Sequence, residues 1–286
     1  MKLSRQQFLD WEFKHITLLA MSGAGKTTLA NKLPKNKWFH YSADYRIGTK
    51  YLGEQILDNI KRQAMSVPFL RDLLLSDSIY IQNNITVDNL APVSSFLGKI
   101  GNSEKGGLPL AEFKRRQRLH HQAEVAALKD VPDFIRKAED IYGYKNFLND
   151  AGGSVCELDE PEVLDLLAEH SVIIYIRIPP ALEQTLIARA QANPKPLYYR
   201  ESFLDQALVE YTALHPDLAI DNMDPNEFVT WVFPKLYHSR VPRYEAIAEQ
   251  YGYTIDAGDT LHIQNEQDFI HLIADAIGQK EKVSCL

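Results

Sequence analysis

Short apolar runs with strand character alternate along this chain with longer segments in which apolar residues recur every three or four positions. Residues 15–20, 38–43, 146–150, 172–178 and 253–256 read as five strands. The run 172–178 is apolar except for Arg177 near its end, the pattern of a strand buried on both faces. Helices are predicted between the strands. The first lies within 4–14, where Ser4 and Gln7 have capping-box spacing, and the second covers 29–33, stopped by Pro34. Others are expected at 49–64, with Leu52, Ile56 and Ile60 on one side, at 69–75, at 110–129 and from Pro132 to Tyr142. Pro161 and Pro180 open two more, at 162–169 and 180–190; segments at 201–213, 225–238, 241–250 and 268–278 complete the set. This alternation predicts an α/β protein: a parallel sheet covered by helices on both faces, with right-handed crossovers.

The stretch 76–110 breaks the rhythm. Pro92, Gly98, Gly101, Gly106, Gly107 and Pro109 punctuate short apolar pieces there, and the stretch is too long for a structureless connector. We expect a mostly helical inserted substrate or lid module over 65–142, carried by a core made of 1–64 and 143–286.

Composition narrows the class further. With 286 residues and 45% hydrophobic content the chain can bury a substantial core. A net charge of −7 argues against a general polyanion binder. Cys156 and Cys285 lie far apart and have no metal-ligand spacing, which fits a reducing compartment. No apolar run reaches the roughly 18 residues that span a bilayer, and the N-terminus lacks the apolar segment of a signal peptide. The expectation is a soluble cytoplasmic protein without a membrane partner.

The chemistry is concentrated between the first strand and the helix after it. Ser22-Gly23-Ala24-Gly25-Lys26-Thr27-Thr28 follows an apolar strand, as in the phosphate loop G-x-x-x-x-G-K-[ST] of the Walker A pattern, with Ala20 in place of the first glycine. Gly23 and Gly25 let consecutive backbone N–H groups converge on phosphate oxygens without intruding side chains. Lys26 would reach the terminal phosphates, Thr27 would ligate Mg²⁺, and the helix that follows would present its positive dipole end. A mononucleotide-phosphate site is the strongest indication in the sequence.

These signals together resemble the nucleoside-monophosphate-kinase-like group of P-loop phosphotransferases, most closely the shikimate kinase family. The similarity covers roughly 14–62 and 144–258. It is carried by Ser22 to Thr28, by Asp44 just past the second strand, by Gly152-Gly153 past the third, and by the run 182–197, which looks like the family's adenine-binding helix and lid. Lys195-Pro196-Leu197 stands where the family has Arg-Pro-Leu, and the segment from Arg240 to Ala248 is similar to the one that supplies a substrate-binding arginine. The resemblance implies a P-loop NTPase fold with a five-stranded parallel sheet in the order 2-3-1-4-5, and ATP and Mg²⁺ as cofactors. It implies that Asp44 contacts an acceptor hydroxyl, that Arg189 and Lys195 close over the nucleotide, and that Gly152, Gly153 and Arg240 bind the acceptor.

Two departures carry consequences. Where the family has two aspartates one residue apart, this chain has Ser42 and Asp44, so one indirect Mg²⁺ contact is missing. Asp150, ending the third strand, is the residue placed to replace it. Lys195 keeps the charge of the family's lid arginine without its bidentate geometry.

Several residues also have blander readings. Asp44 and Asp150 fit helix or turn caps, and Arg189 and Arg240 fit helix-dipole partners. Arg46 and Arg62 are weaker acceptor contacts, and Cys156 reads as buried packing. The basic segment 114–118 spreads its charges around a helix and reads first as a solvated face. The leading expectation is a kinase that moves the γ-phosphoryl group of ATP to a hydroxyl of a small metabolite or nucleoside-like acceptor. Two alternatives stay open: a kinase acting on a nucleic acid or modified nucleotide, and an NTPase or nucleotide-dependent interaction module without a phosphorylated acceptor.

Overall fold

A computed structural model describes residues 1–284; Cys285 lies outside the described residues. Five strands, β1 (His15–Leu19), β2 (Trp38–Ser42), β3 (Asn146–Asp150), β4 (Val172–Arg177) and β5 (Gly252–Asp256), form one parallel sheet in the order β2-β3-β1-β4-β5. Helices cover both faces, and the central strands β1 and β4 are buried on both sides.

The chain divides into two compact units. The first comprises Met1–Ala43, Leu128–Pro194 and the chain from Thr230 on, and holds the whole sheet. On one face Ile16, Leu18, Leu148, Val172, Ile174 and Ile255 share a core with Phe8, Leu29, and Phe269, Ile273 and Ile277 of the helix Glu266–Ser284. On the other, Tyr41 packs against Phe147 and against Phe134 of the helix Val131–Tyr142, and Tyr175 stacks on Tyr244 at 5.2 Å and 8°. The Ser4 and Gln7 capping box is formed at the start of Arg5–Asp10.

Several predicted helices change their bounds, the one expected at 29–33 being Lys26–Ala30. The segments 225–238 and 241–250 are one helix, Pro225–Tyr251, with Pro234 and Pro242 inside it. Pro234 cannot donate to the carbonyl of Thr230, and Gln191 Nε2 donates to that oxygen instead, at 3.2 Å. A buried stripe of Val232, Leu236, Tyr237 and Tyr244 runs through both prolines, so packing holds the helix together where propensity would end it. The helix expected at 49–64 begins later, as Gly53–Met65, after a wide turn closed by Leu52 N–H donating to Ile47 O at 2.8 Å. The last helix extends beyond 278, as Glu266–Ser284.

The second unit comprises Asp44–Ala127 and Lys195–Val229. Of the expected 65–142 module, 65–127 belongs to this unit and 128–142 to the first. Its core gathers Ile47, Leu52, Ile56, Val93, Phe96, Ala123 and Ala127. The long helix Leu110–Lys129 carries the basic run, in which Arg115 and Arg118 are exposed, as a solvated face requires, and Arg116 is buried. Arg116 is 4% exposed and donates to Glu112 Oε1 (2.7 Å), Phe96 O (2.7 Å) and Asn59 Oδ1 (2.8 Å). Lys114 pairs with Glu201 and Asp205, and Arg115 with Glu112. Arg116 is the internal tie of the run, and the Glu112 carboxylate offsets the cost of removing its charge from water. Among the described residues no helix is long and apolar enough to cross a membrane.

Candidate functional site

After β1 the chain turns through residues 20–25, with Gly23 at φ 86° and Gly25 at φ 92°. Side chains disfavour that left-handed region, so these two glycines let the loop curl over the end of its strand. A Cβ on Gly25 would meet nothing within 4 Å, so the inside of the curl is open. Ala20, in the place of the motif's first glycine, is buried, and its carbonyl accepts from Lys26 Nζ at 2.8 Å and from the Tyr244 hydroxyl at 3.4 Å. The loop therefore closes with alanine there. The helix that follows, Lys26–Ala30, has only five residues. The dipole expected from it is correspondingly small, and the loop amides and Lys26 carry the attraction for an anion.

Thr27 Oγ1 donates to Asp150 Oδ2 at 2.6 Å, joining the first turn of this helix to the end of β3. Burial raises the carboxyl pKa of Asp150, but His40, the Lys26 charge and the Thr27 hydroxyl outweigh it and hold the pKa below its ordinary value. Asp150 thus stays ionised in a buried setting. A hydroxyl and a carboxylate so joined fit Mg²⁺, which keeps most of its water and takes one or two protein oxygens. The described residues hold no cluster of three or more acidic, His or Cys side chains.

Gly152 is buried, and Gly153 lies directly against Ser22. Arg240, expected to contact an acceptor, is 4% exposed: its Nη1 donates to Gly153 O at 3.1 Å and its Nε lies 3.4 Å from Glu157 Oε1. Burial of the guanidinium between backbone and carboxylate makes it a brace for the 153–157 turn. Cys156 in that turn has its thiol pushed up to about 12 by burial, in keeping with packing and not with a nucleophile.

Arg189 is exposed near the end of Pro180–Ala192. With Gly23, Gly25, Thr28, Lys32 and Leu186 it lines a cleft of about 310 Å³ beside the glycine loop. Lys32 Nζ closes one wall of this cleft by donating to Thr260 O (3.1 Å) and Ile263 O (3.0 Å). The first unit thus assembles Ser22 to Thr28, Asp150, Gly153 and Arg189.

Four expected residues belong to the second unit. Asp44 is half-buried in the turn that follows Ser42 and Ala43, and Arg46 lies over the Tyr51 ring at 5.8 Å. Arg62 is exposed on Gly53–Met65, and Lys195 is exposed in the loop before Tyr198. That loop is pinned by one side chain: Gln117 Nε2 donates to Leu197 O at 3.2 Å, and Tyr199 N–H donates to Gln117 Oε1 at 2.8 Å. His40, Glu157 and Lys32 were not singled out from the sequence. No local pattern marks them, since each takes its place through a segment distant in the chain: Asp150 for His40, Arg240 for Glu157 and Ile263 for Lys32.

The parallel sheet in the order 2-3-1-4-5, with a glycine loop between its central strand and the next helix, is the fold of the P-loop NTPases. No protein-family model matches the chain, and no curated protein matches it in sequence. Among solved structures it is similar to the shikimate kinase of Bacteroides thetaiotaomicron, with 13% identity, a TM-score of 0.37, and coverage of 96% of this chain and 99% of that one. It is similar too to shikimate kinase from Acinetobacter baumannii in complex with shikimate, again with 13% identity and a TM-score of 0.37, covering 87% and 86% of the two chains.

Proposed function

We propose that this protein is an ATP- and Mg²⁺-dependent phosphotransferase that moves the γ-phosphoryl group to a hydroxyl of a small metabolite or nucleoside-like acceptor. One observation carries the reading: the 2.6 Å hydrogen bond from Thr27 to a buried, ionised Asp150, beside an open glycine loop and Lys26.

In this reading the loop amides of 22–28 receive the phosphates, and Lys26 exchanges Ala20 O for a phosphate oxygen. Thr27 and Asp150 hold Mg²⁺, which supplies charge neutralisation across the phosphates. The nucleoside occupies the cleft lined by Leu186 and Arg189, with Arg189 adding positive charge near the phosphates. Asp44, two residues past the end of β2, orients the acceptor hydroxyl and takes its proton. Gly152 and Gly153 offer backbone to the acceptor, and the resemblance gives Arg46 and Arg62 to the acceptor and Lys195 to the nucleotide. A polyanionic acceptor loses its motivation, because Lys114, Arg115 and Arg116 are engaged with carboxylates.

The test is ADP release across a panel of hydroxylated metabolites and nucleosides, with mass spectrometry of the product. Stimulation by one acceptor, with a product heavier by one phosphoryl group, is the expected result. Nucleotide turnover with no phosphorylated product, unchanged in Asp44→Asn, would establish an NTPase instead.

A further inference from the structure

We infer that His40 is a positioning residue, the second donor that aims the Asp150 carboxylate at Thr27. The inference rests on the proposed role of Thr27 and Asp150 toward Mg²⁺, and it adds a residue that the glycine-loop pattern does not contain.

The sheet creates the relationship. β2 and β3 are parallel neighbours in a register that sets Ser42 beside Asp150 and His40 beside Leu148. His40 and Asp150 therefore project from the same face, one diagonal step apart. His40 Nε2 lies 3.6 Å from Asp150 Oδ2, the oxygen that already accepts from Thr27 Oγ1. That nitrogen is shut off from solvent and makes no hydrogen bond, although the ring it belongs to is partly exposed. A buried polar atom without a partner is unfavourable, and the nearest remedy is a shift of a few tenths of an ångström onto the carboxylate.

The chemistry gives that donor a purpose. The Thr27 hydroxyl gives Asp150 Oδ2 one hydrogen bond, which fixes that oxygen but not the rotation of the carboxylate about its own axis. A second N–H on Oδ2 keeps it aimed. Partners of this kind, one step behind the metal, typically change metal affinity 10–100-fold when removed.

The experiment uses the full chain and a fluorescent ATP analogue, with Mg²⁺ titrated at fixed nucleotide and a parallel titration of nucleotide in EDTA. In His40→Leu the Mg²⁺ concentration for half-maximal binding should rise about 10-fold, with affinity in EDTA unchanged. His40→Gln, whose amide nitrogen reaches the place of Nε2, should stay within about 3-fold of wild type, and His40→Asn, too short to reach, should follow the leucine variant. The asparagine variant decides the matter if the leucine variant does not fold. A Mg²⁺ midpoint that is unmoved in both, or moved equally in all three, overturns the role of His40 while leaving the phosphotransferase reading intact. A wild-type protein with no Mg²⁺-linked nucleotide affinity overturns both.

Discussion

Gly153 and Ser22 leave no room between them: a Cβ built on Gly153 would lie 2.4 Å from Ser22 Oγ and 2.9 Å from Ser22 N. The turn after β3 therefore acts as a backstop for the glycine loop, and Arg240 holds that turn in place through Gly153 O. Gly153→Ala forces either the loop or the turn to shift. We expect a loss of about 1–3 kcal/mol in urea unfolding, the usual cost of overpacking, together with weaker nucleotide binding. Wild-type affinity in the variant would show that the loop does not depend on this contact.

Lys26 rests on the loop's own carbonyl at Ala20. Lys26→Met removes a charged donor from a phosphate while preserving the aliphatic stem. ATP affinity should fall by roughly 10–100-fold, the scale of a hydrogen bond to a charged group, in a fluorescence titration. The melting temperature without nucleotide should change little.

Asp150→Asn keeps the shape of the side chain and removes its charge. The Mg²⁺ requirement for nucleotide binding should rise by about 10–100-fold, with binding in EDTA retained. Equal losses with and without Mg²⁺ would assign Asp150 to the architecture of the loop alone.

Arg116 ties three elements of the second unit through Glu112, Phe96 O and Asn59. Arg116→Met leaves Phe96 O and Asn59 Oδ1 without this donor, while Glu112 keeps Arg115, and an unsatisfied buried acceptor costs about 1–3 kcal/mol. Chemical denaturation should report a loss of that order. A difference below about 1 kcal/mol would mean that water replaces the guanidinium at little cost.

Glu112 has its pKa held down to about 2 from 4.5, first by its hydrogen bond to Arg115 and against some desolvation. A depressed carboxyl stabilises the fold fully above its unfolded value and ceases to do so as pH falls through its folded one. Between pH 4.5 and about 2 the wild type should therefore lose stability more steeply than Glu112→Gln, measured as melting temperature against pH. Parallel curves would show that other acids govern the acid transition.

The glycine loop was legible because its chemistry is local. Two glycines, a lysine and two threonines within six residues specify a backbone shape and a charge with no help from the rest of the chain. The five strands were legible for a related reason, since each is a short apolar run whose period or continuity reports burial. The proline signal misled at Pro242, because a helix-breaking residue acts on one hydrogen bond whereas the apolar stripe of Pro225–Tyr251 acts along its whole length. The basic run 114–118 misled in part: its residues look solvent-seeking until Glu201 and Asp205, far along the chain, come to meet Lys114.

The sequence by itself determined the alternation of elements, the loop and the identity of the residues near it, because those depend on neighbours a few positions away. The strand order that puts β3 between β1 and β2 came with the resemblance, and the sheet has it; only the tertiary structure decided the register of β2 on β3 and the side-chain contacts at its end. That adjacency brings Asp150 to Thr27 and to His40, residues separated from it by more than a hundred positions. It was likewise the tertiary structure that buried Arg240 as a brace. The physical reason is common to all of these: burial and long-range pairing depend on which surfaces the chain packs together, and no local run of residues encodes that choice.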